Sequence, residues 1–172
     1  MLKLFIQLAL ICYTSLLFAV TSNINIVADE FELDGEKKQI KATGHVQVTQ
    51  DDILLKSGWA FYDQNKEVIE LFDNVNISRD KLNLNCDKAV AFGSENRINA
   101  KGNVNFIYEK ISGTASEARY NLDEKQVILL GNPKVNHDGD YIIGAIIIVD
   151  LERQKVITKG NAEVKITTEK FK

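Results

Sequence analysis

Apolar and polar side chains alternate along most of this chain, and the alternation itself recurs at a fixed interval. The interval is clearest at five positions spaced 29 residues apart: Gly44, Asp73, Gly102, Gly131 and Gly160. Around each of them apolar side chains stand two and four residues away, which places them on one face of an extended strand. A fixed period over most of a chain indicates a repeat architecture, in which each unit packs on its neighbours.

The apolar face of this strand is aliphatic and mostly β-branched, as is typical of a half-buried strand. We predict that it faces the protein interior, and its central members are Ile40, Val46, Val48, Ile69, Leu71, Val75, Ile77, Ile98, Val104, Phe106, Val127, Leu129 and Val135. The side chains between them are mostly polar, and we assign them to the outward face: Lys41, Gln47, Asn76, Arg79 and Lys101 are examples.

The other half of each repeat also reads as a strand, and it contains a small residue sixteen positions before the repeat centre: Ala28, Ser57, Cys86, Ala115 and Gly144. The alternation of inward and outward side chains shifts by one residue there, which indicates a bulge or corner. Turn residues separate the strands twice per repeat, so we favour consecutive antiparallel hairpins over a parallel β-helix, which would show about three turns per coil. The prediction is an all-β two-sheet sandwich or β-jelly roll of ten bent antiparallel strands, built from five repeats as one domain over residues 23–172.

Residues 1–22 differ in composition from the rest of the chain. Lys3 is followed by an uncharged apolar run from Leu4 to Ala19 and then by small or polar residues. This pattern predicts a secretory signal peptide, cleaved near Ala19 or Ser22, and hence an exported protein. The alternative is an uncleaved N-terminal anchor, although a membrane span takes roughly 20 apolar residues.

Few residues suggest chemistry. The formal net charge of -3, with both signs interspersed, argues against nucleic-acid binding. His45 and His137 fall on outward or turn positions, and Cys86, the only cysteine after residue 22, is expected to be a small buried hydrophobe. We expect no catalytic residues, no metal site and no cofactor.

One strand carries more apolar side chains than an inward face requires. In Tyr141 to Asp150 the residues Tyr141, Ile143, Ile146 and Ile148 are assigned outward, where other repeats place polar side chains. Exposed apolar patches usually mark interfaces, so we predict that these four residues form one. The alternative is that residues 165–172 fold over them. A partial counterpart occurs in the second repeat as Leu54, Trp59 and Phe61.

The opening stretch from Ile24 to Phe31 and the recurring Gly-Asn-Val units, as at Gly102 to Val104, resemble the OstA-like domain family of lipopolysaccharide transport. The resemblance covers residues 23–167, and Pro133 departs from the usual valine of the repeat. It implies an open β-jelly roll that holds lipid acyl chains in an apolar groove, with the inward residues named above as the lipid contacts. It also implies edge-strand pairing with OstA-like proteins of the inner- and outer-membrane complexes, and a head-to-tail homo-oligomer. It implies no catalytic residues.

The expected function is therefore that of a periplasmic, non-enzymatic bridge protein that shields the acyl chains of lipopolysaccharide, or a related glycolipid, on the way to the outer membrane. Two alternatives remain: an inner-membrane-anchored partner of the same bridge, and a self-assembling structural repeat protein that binds no lipid. A hydrolase is a third, less favoured, alternative. The alternation does not distinguish a closed apolar core from an open apolar slot, because both place the same residues inward.

Overall fold

The computed structural model describes residues 23–167, so the predicted signal peptide lies outside the described residues. Within this range no helix is long and apolar enough to cross a membrane. A 3₁₀ turn spans Gly93–Glu95, and the strands are β1 (Asn25–Val27), β2 (Glu30–Asp34), β3 (Gln39–Gln50), β4 (Ile53–Asp63), β5 (Val68–Arg79), β6 (Leu82–Phe92), β7 (Arg97–Tyr108), β8 (Ile111–Asn121), β9 (Gln126–Leu130), β10 (Lys134–His137), β11 (Asp140–Ile143), β12 (Ile146–Asp150), β13 (Lys155–Lys159) and β14 (Glu163–Lys165).

The strands form ten bent antiparallel strands, as the repeat predicts, because β1–β2, β9–β10, β11–β12 and β13–β14 each act as one strand interrupted at its bend. The two expected sheets are the two halves of one continuous, unclosed sheet folded on itself. In spatial order, layer one begins with β2 and ends with β9, β12 and β13. Between β2 and β9 lies one half of each strand from β3 to β8, and these halves are residues 39–43, 59–63, 68–72, 88–92, 97–101 and 117–121. Layer two comprises β1, the remaining halves of β3 to β8, then β10, β11 and β14.

The bend lies at the repeat centre, where two consecutive residues leave the regular strand. Gly102 and Asn103 have φ values of 76° and 46°, and the corresponding pair Asp73 and Asn74 has 66° and 54°. The pairing of β7 with β8 shifts between Lys101 and Val104 at the same place. A left-handed pair is accessible to Gly, Asn and Asp at little cost, which explains why these residue types recur every 29 positions.

Each bend also brings the repeat centre against the strand paired with it, and one of the two facing residues is glycine in all five repeats. A Cβ added to Gly102 would overlap the carboxylate of Asp87, and a Cβ added to Gly58 would stand 2.9 Å from the Cβ of Asp73. The second repeat therefore has the same pair of glycine and aspartate, but with the aspartate at the repeat centre and the glycine on the paired strand. The glycine is needed because two side chains do not fit between the crossing backbones.

The two layers cross at an angle, as twisted sheets do. Arg79, at the end of β5 in layer two, bonds the carbonyl oxygen of Leu122, which follows β8 in layer one, at 3.1 Å. Because the layers cross, each layer extends past the other at one end of the sheet. The inward-facing residues there are not covered by the opposing layer. In layer one Leu33 is 69% exposed, and in layer two Ile166 is 68% exposed.

Candidate functional site

A cavity of about 490 Å³ lies between the two layers, toward the N-terminal end of the sheet. Its mouth is formed by the turn at Asp51 and Asp52 in layer two and the turn from Gly93 to Asn96 in layer one. Its apolar wall comes from both layers and consists of Ile24, Val48, Ile53, Leu55, Tyr62, Ile69, Ala91, Ile98 and Leu122. A concave apolar site of this size is within the range of small-ligand sites, roughly 300–1,000 Å³.

The thirteen predicted inward residues divide into two groups. Val48, Ile69 and Ile98 line the cavity, while Ile40 is half-buried near the N-terminal end. The others are at most 1% exposed in the core that fills the rest of the space between the layers: Val46, Leu71, Val75, Ile77, Val104, Phe106, Val127, Leu129 and Val135. A cavity and a closed core are thus both present, in different parts of the same molecule.

Sequence reasoning assigned Arg79 to the outward face, and this assignment is wrong. Its backbone lies in the inward row at the mouth, between Ile53 and Leu82 in the cross-strand register, and its side chain is 21% exposed. Arg79 follows Asp73 by an even number of positions, as the inward residues do, so the period itself could have identified it. It was assigned to the outward face because its side chain is charged.

Arg79 makes three hydrogen bonds at the edge of the cavity. Its Nε donates to Asp52 Oδ2 at 2.8 Å, and its Nη1 donates to the Leu122 carbonyl oxygen at 3.1 Å and to Tyr120 Oη at 3.5 Å. Burial raises the pKa of the Tyr120 phenol, and the bond from Arg79 opposes that rise. The guanidinium therefore joins the two layers where the cavity ends.

A second polar tie joins the layers further along the sheet. Gln154 Nε2, in a turn of layer one, donates to Glu109 Oε2 in layer two at 2.6 Å, and Glu109 also pairs with Lys81. This tie lies over the closed core rather than over the cavity, because none of its three residues lines the cavity.

The rim of the cavity carries both charges, with carboxylates in excess. Asp51, Asp52, Glu67 and Asp123 line it together with Arg79 and Arg97. The Arg97 guanidinium already lies 4.5 Å from the centre of the Phe92 ring and is bonded to Asn99 Oδ1 at 2.6 Å. Such a rim favours an apolar ligand inside rather than an anion held deep in the cavity.

The histidines and Cys86 lie away from the cavity. His45 is exposed at the first bend, with Nδ1 2.7 Å from Asp29 Oδ2, and His137 is half-buried at the end of β10. Cys86 is buried, and burial raises the pKa of its thiol from 9.0 to about 11. Within residues 23–167 no cluster of three His, Cys, Asp or Glu side chains could hold a metal ion.

The four predicted interface residues lie on two different outer surfaces. Ile146 and Ile148 are on layer one, where the cross-strand register places them beside Leu130 and Ile128, and Ile157 lies next to Ile148. We call these five side chains the isoleucine patch. Tyr141 and Ile143 lie beyond the bend on layer two, beside Asn136 and Lys134.

A second outward apolar cluster lies on layer one near the N-terminal end. The rings of Trp59 and Phe72 stack at 3.9 Å between centroids, and Lys88 Nζ lies 4.3 Å from the Phe72 ring centre. Layer two carries instead an outward row of amides, in which Asn76 bonds both Asn83 and Asn85. The outer surface of layer one thus carries two apolar clusters, this one and the isoleucine patch.

Comparison with known proteins adds the family. The chain is 25% identical over 155 residues to the lipopolysaccharide export system protein LptA of Haemophilus influenzae, covering 87% of this chain and 77% of that protein. It also matches the crystal structure of LptH from Pseudomonas aeruginosa, described as the LptA-homologous periplasmic component of a lipopolysaccharide transport device. That match has 19% identity and a TM-score of 0.38, and it covers 85% of this chain and 96% of that one. The model of the LptA/(LptD N-terminal domain) LPS transport protein family matches residues 25–60 and 57–155, so this chain belongs to that family.

Proposed function

We propose that this chain is a periplasmic, non-enzymatic bridge protein that shields the acyl chains of lipopolysaccharide, or a related glycolipid, between its two layers. The observation that carries the proposal is the cavity, whose wall is apolar and formed by both layers. The family to which the chain belongs supports the same function. The predicted signal peptide supports export.

The work required of such a protein is solvation. An acyl chain that leaves one membrane for another must cross water, and covering its apolar surface stabilises it by roughly 25 cal/mol per Å². The cavity offers aliphatic side chains such as Leu55, Ile69 and Ile98 on opposite sides of one space. No covalent step is needed for a ligand to bind there and leave again.

Movement of a chain beyond the cavity requires the layers to part. The core beyond it is closed, with Val104, Phe106 and Val135 at most 1% exposed. The described residues contain one cysteine, the free Cys86, so no disulfide within this range links the layers. The layers are continuous at the bends and meet at their free ends through ties such as Arg79 to Leu122, so opening would occur at the mouth.

We further propose head-to-tail assembly with a second copy or with another OstA-like protein. At the N-terminal end the inward-facing Phe31 and Leu33 of β2 are exposed, and at the C-terminal end so are Val164 and Ile166. Phe31 and Leu33 lie in layer one, whereas Val164 and Ile166 lie in layer two. At each end a different layer therefore leaves its inward-facing side chains uncovered, which makes the two ends of neighbouring molecules complementary. Edge strands that pair across the junction would continue both layers and cover both sets of side chains.

The test is lipid analysis by mass spectrometry of the protein purified from its native envelope, combined with photo-crosslinking in cells. A crosslinker at Ile69, on the cavity wall, should capture lipopolysaccharide, while one at the neighbouring outward residue Glu70 should not. Equal capture at both positions would contradict an internal lipid path. Capture at neither, with no lipid in the purified protein, would favour the structural repeat protein.

The same crosslinking tests whether the layers part. Val104 and Phe106 lie in the closed core, with outward Asn103 and Asn105 as matched controls. Capture at Val104 or Phe106 would show that the chain travels beyond the cavity.

The mature N-terminus is measured on the same sample. A start between Val20 and Asn23 is expected, and intact Met1 in an inner-membrane fraction would favour the anchored partner.

A further inference from the structure

Among the described inward-facing strand residues that line the cavity, one is charged, Arg79. Across the strands of layer two, the inward row at the mouth runs from Gln50 through Ile53 and Arg79 to Leu82. Gln50, Ile53 and Arg79 line the cavity, whereas Leu82 is 2% exposed and belongs to the closed core. Arg79 is therefore the last residue of the open part of this row.

The side chain of Arg79 is held in that position from both layers. Asp52 accepts from Nε in layer two, and the Leu122 carbonyl and the Tyr120 hydroxyl accept from Nη1 in layer one. Tyr120 is itself 3% exposed, so the guanidinium rests against a packed surface. A side chain held by three acceptors, two of them across the gap between the layers, closes this end of the cavity while the layers are together.

We propose that Arg79 determines which acyl chains the cavity accepts, by ending the space available to a chain that lies along this row from the N-terminal end of the cavity. The inference rests on the proposed lipid-binding function and assigns the ligand class more narrowly, as acyl chains up to a limiting length. Each methylene that enters the apolar wall adds to the affinity until the chain end meets the guanidinium. Further methylenes then stay in water and add nothing.

The relation between affinity and chain length tests this directly. The mature protein is titrated with 11-(dansylamino)undecanoic acid, and the probe is displaced by saturated fatty acids from octanoate to stearate. For the natural sequence we expect affinity to rise about four-fold per methylene, the equivalent of about 0.8 kcal/mol, and then to level off. In Arg79→Ala the rise should continue to longer chains. Comparing successive lengths cancels the contribution of the carboxylate, which loses a nearby cation in this variant.

Three further variants keep the result interpretable. Arg79→Met retains an apolar stem but donates no hydrogen bond, so it serves if Arg79→Ala does not fold, and it should also move the limit to longer chains. Asp52→Asn removes the ion pair but keeps the two bonds across the gap, and its limit should match that of the natural sequence. Lys101→Ala, on the outward face and paired with Glu117, controls for the loss of a cation elsewhere.

The outcomes separate the inference from the function beneath it. If the natural sequence shows a limit and folded Arg79→Ala and Arg79→Met show the same limit, Arg79 is not the wall and the inference fails alone. If the natural sequence binds no chain of any length, the proposed function fails and the inference falls with it. A limit that moves in both Arg79 variants but not in Asp52→Asn or Lys101→Ala supports both.

Discussion

The two ends of the space between the layers are built from the same repeat and differ in how they are filled. Toward the N-terminal end Val48, Ile69 and Ile98 surround a cavity, while toward the C-terminal end Phe106, Leu129 and Val135 are fully buried in a closed core. Both parts share the repeat and its bends, although β3 to β8 continue through the bend and β9–β10, β11–β12 and β13–β14 are interrupted there. Side-chain volume at equivalent positions of the repeat contributes to this difference.

Equivalent positions of successive repeats show how the volume changes. Eleven residues before the repeat centre, Tyr62 and Ala91 line the cavity, whereas Tyr120, one repeat after Ala91, is 3% exposed in the closed part. Four residues after the centre, Val48 lines the cavity and is 1% exposed, whereas the larger Phe106 is 0% exposed in the closed part. Phe106 lies opposite Gly113, where a Cβ would overlap its ring, so the closed part is filled to its limit.

The sharpest test of this comparison is a truncation in each part. Phe106→Ala removes a fully buried ring and should lower the free energy of unfolding by about 3–5 kcal/mol. Ile53→Ala, at the half-buried cavity mouth, should cost only about 1 kcal/mol, because that side chain is covered on fewer sides. Urea unfolding followed by circular dichroism measures both. Equal losses would mean that the mouth is packed as tightly as the core.

A smaller effect is expected at the bends, which both parts share. Gly102→Asp copies the residue of the second repeat but places its side chain against Asp87, and should cost about 2–3 kcal/mol. Adding Asp87→Gly recreates the exchanged pair of Asp73 and Gly58 and should recover most of that loss. Asp87→Gly alone is the control, and a double variant whose loss equals the sum of the two single losses would contradict the account of the bend.

On the outer surface of the closed end, the isoleucine patch provides a test of association rather than of stability. Ile146→Lys with Ile148→Lys should leave a folded, β-rich protein and weaken concentration-dependent association about ten-fold, or about 1.4 kcal/mol. Sedimentation velocity over a range of concentrations measures this, with Asn83→Lys on layer two as the matched control. Unfolding of the double variant would show that the patch is core, and unchanged sedimentation would show that it is no self-association surface.

The smallest expected effect concerns Cys86, whose thiol is buried beside the closed core and bonds the Lys88 carbonyl oxygen at 3.3 Å. Burial raises its pKa from 9.0 to about 11, so between these values the unfolded chain loses the thiol proton before the folded one does. Stability should therefore fall as the pH rises through this window, and by less in Cys86→Ala. Rapid alkylation of the folded protein at pH 8 would contradict the burial of the thiol.

Much of the architecture could be predicted because it depends on local repetition. Alternation placed β3 over Gln39–Gln50, and the recurrence of Gly44 and Gly102 placed the bends. Both follow from the geometry of a single strand, in which parity and the left-handed conformation of Gly, Asn and Asp are properties of neighbouring residues. The division of the bent strands into two layers followed from the same signals.

What the tertiary structure decided is how the two layers meet. Their crossing angle brings Arg79 to Leu122 and exposes Leu33 and Ile166 at opposite ends. None of these relations lies within one repeat, since each depends on the twist accumulated over several strands and on the volumes that fill the space between them. The sequence by itself determined which residues face inward. Only the packing of one layer on the other determined which of them enclose a cavity, because that depends on side chains several strands apart.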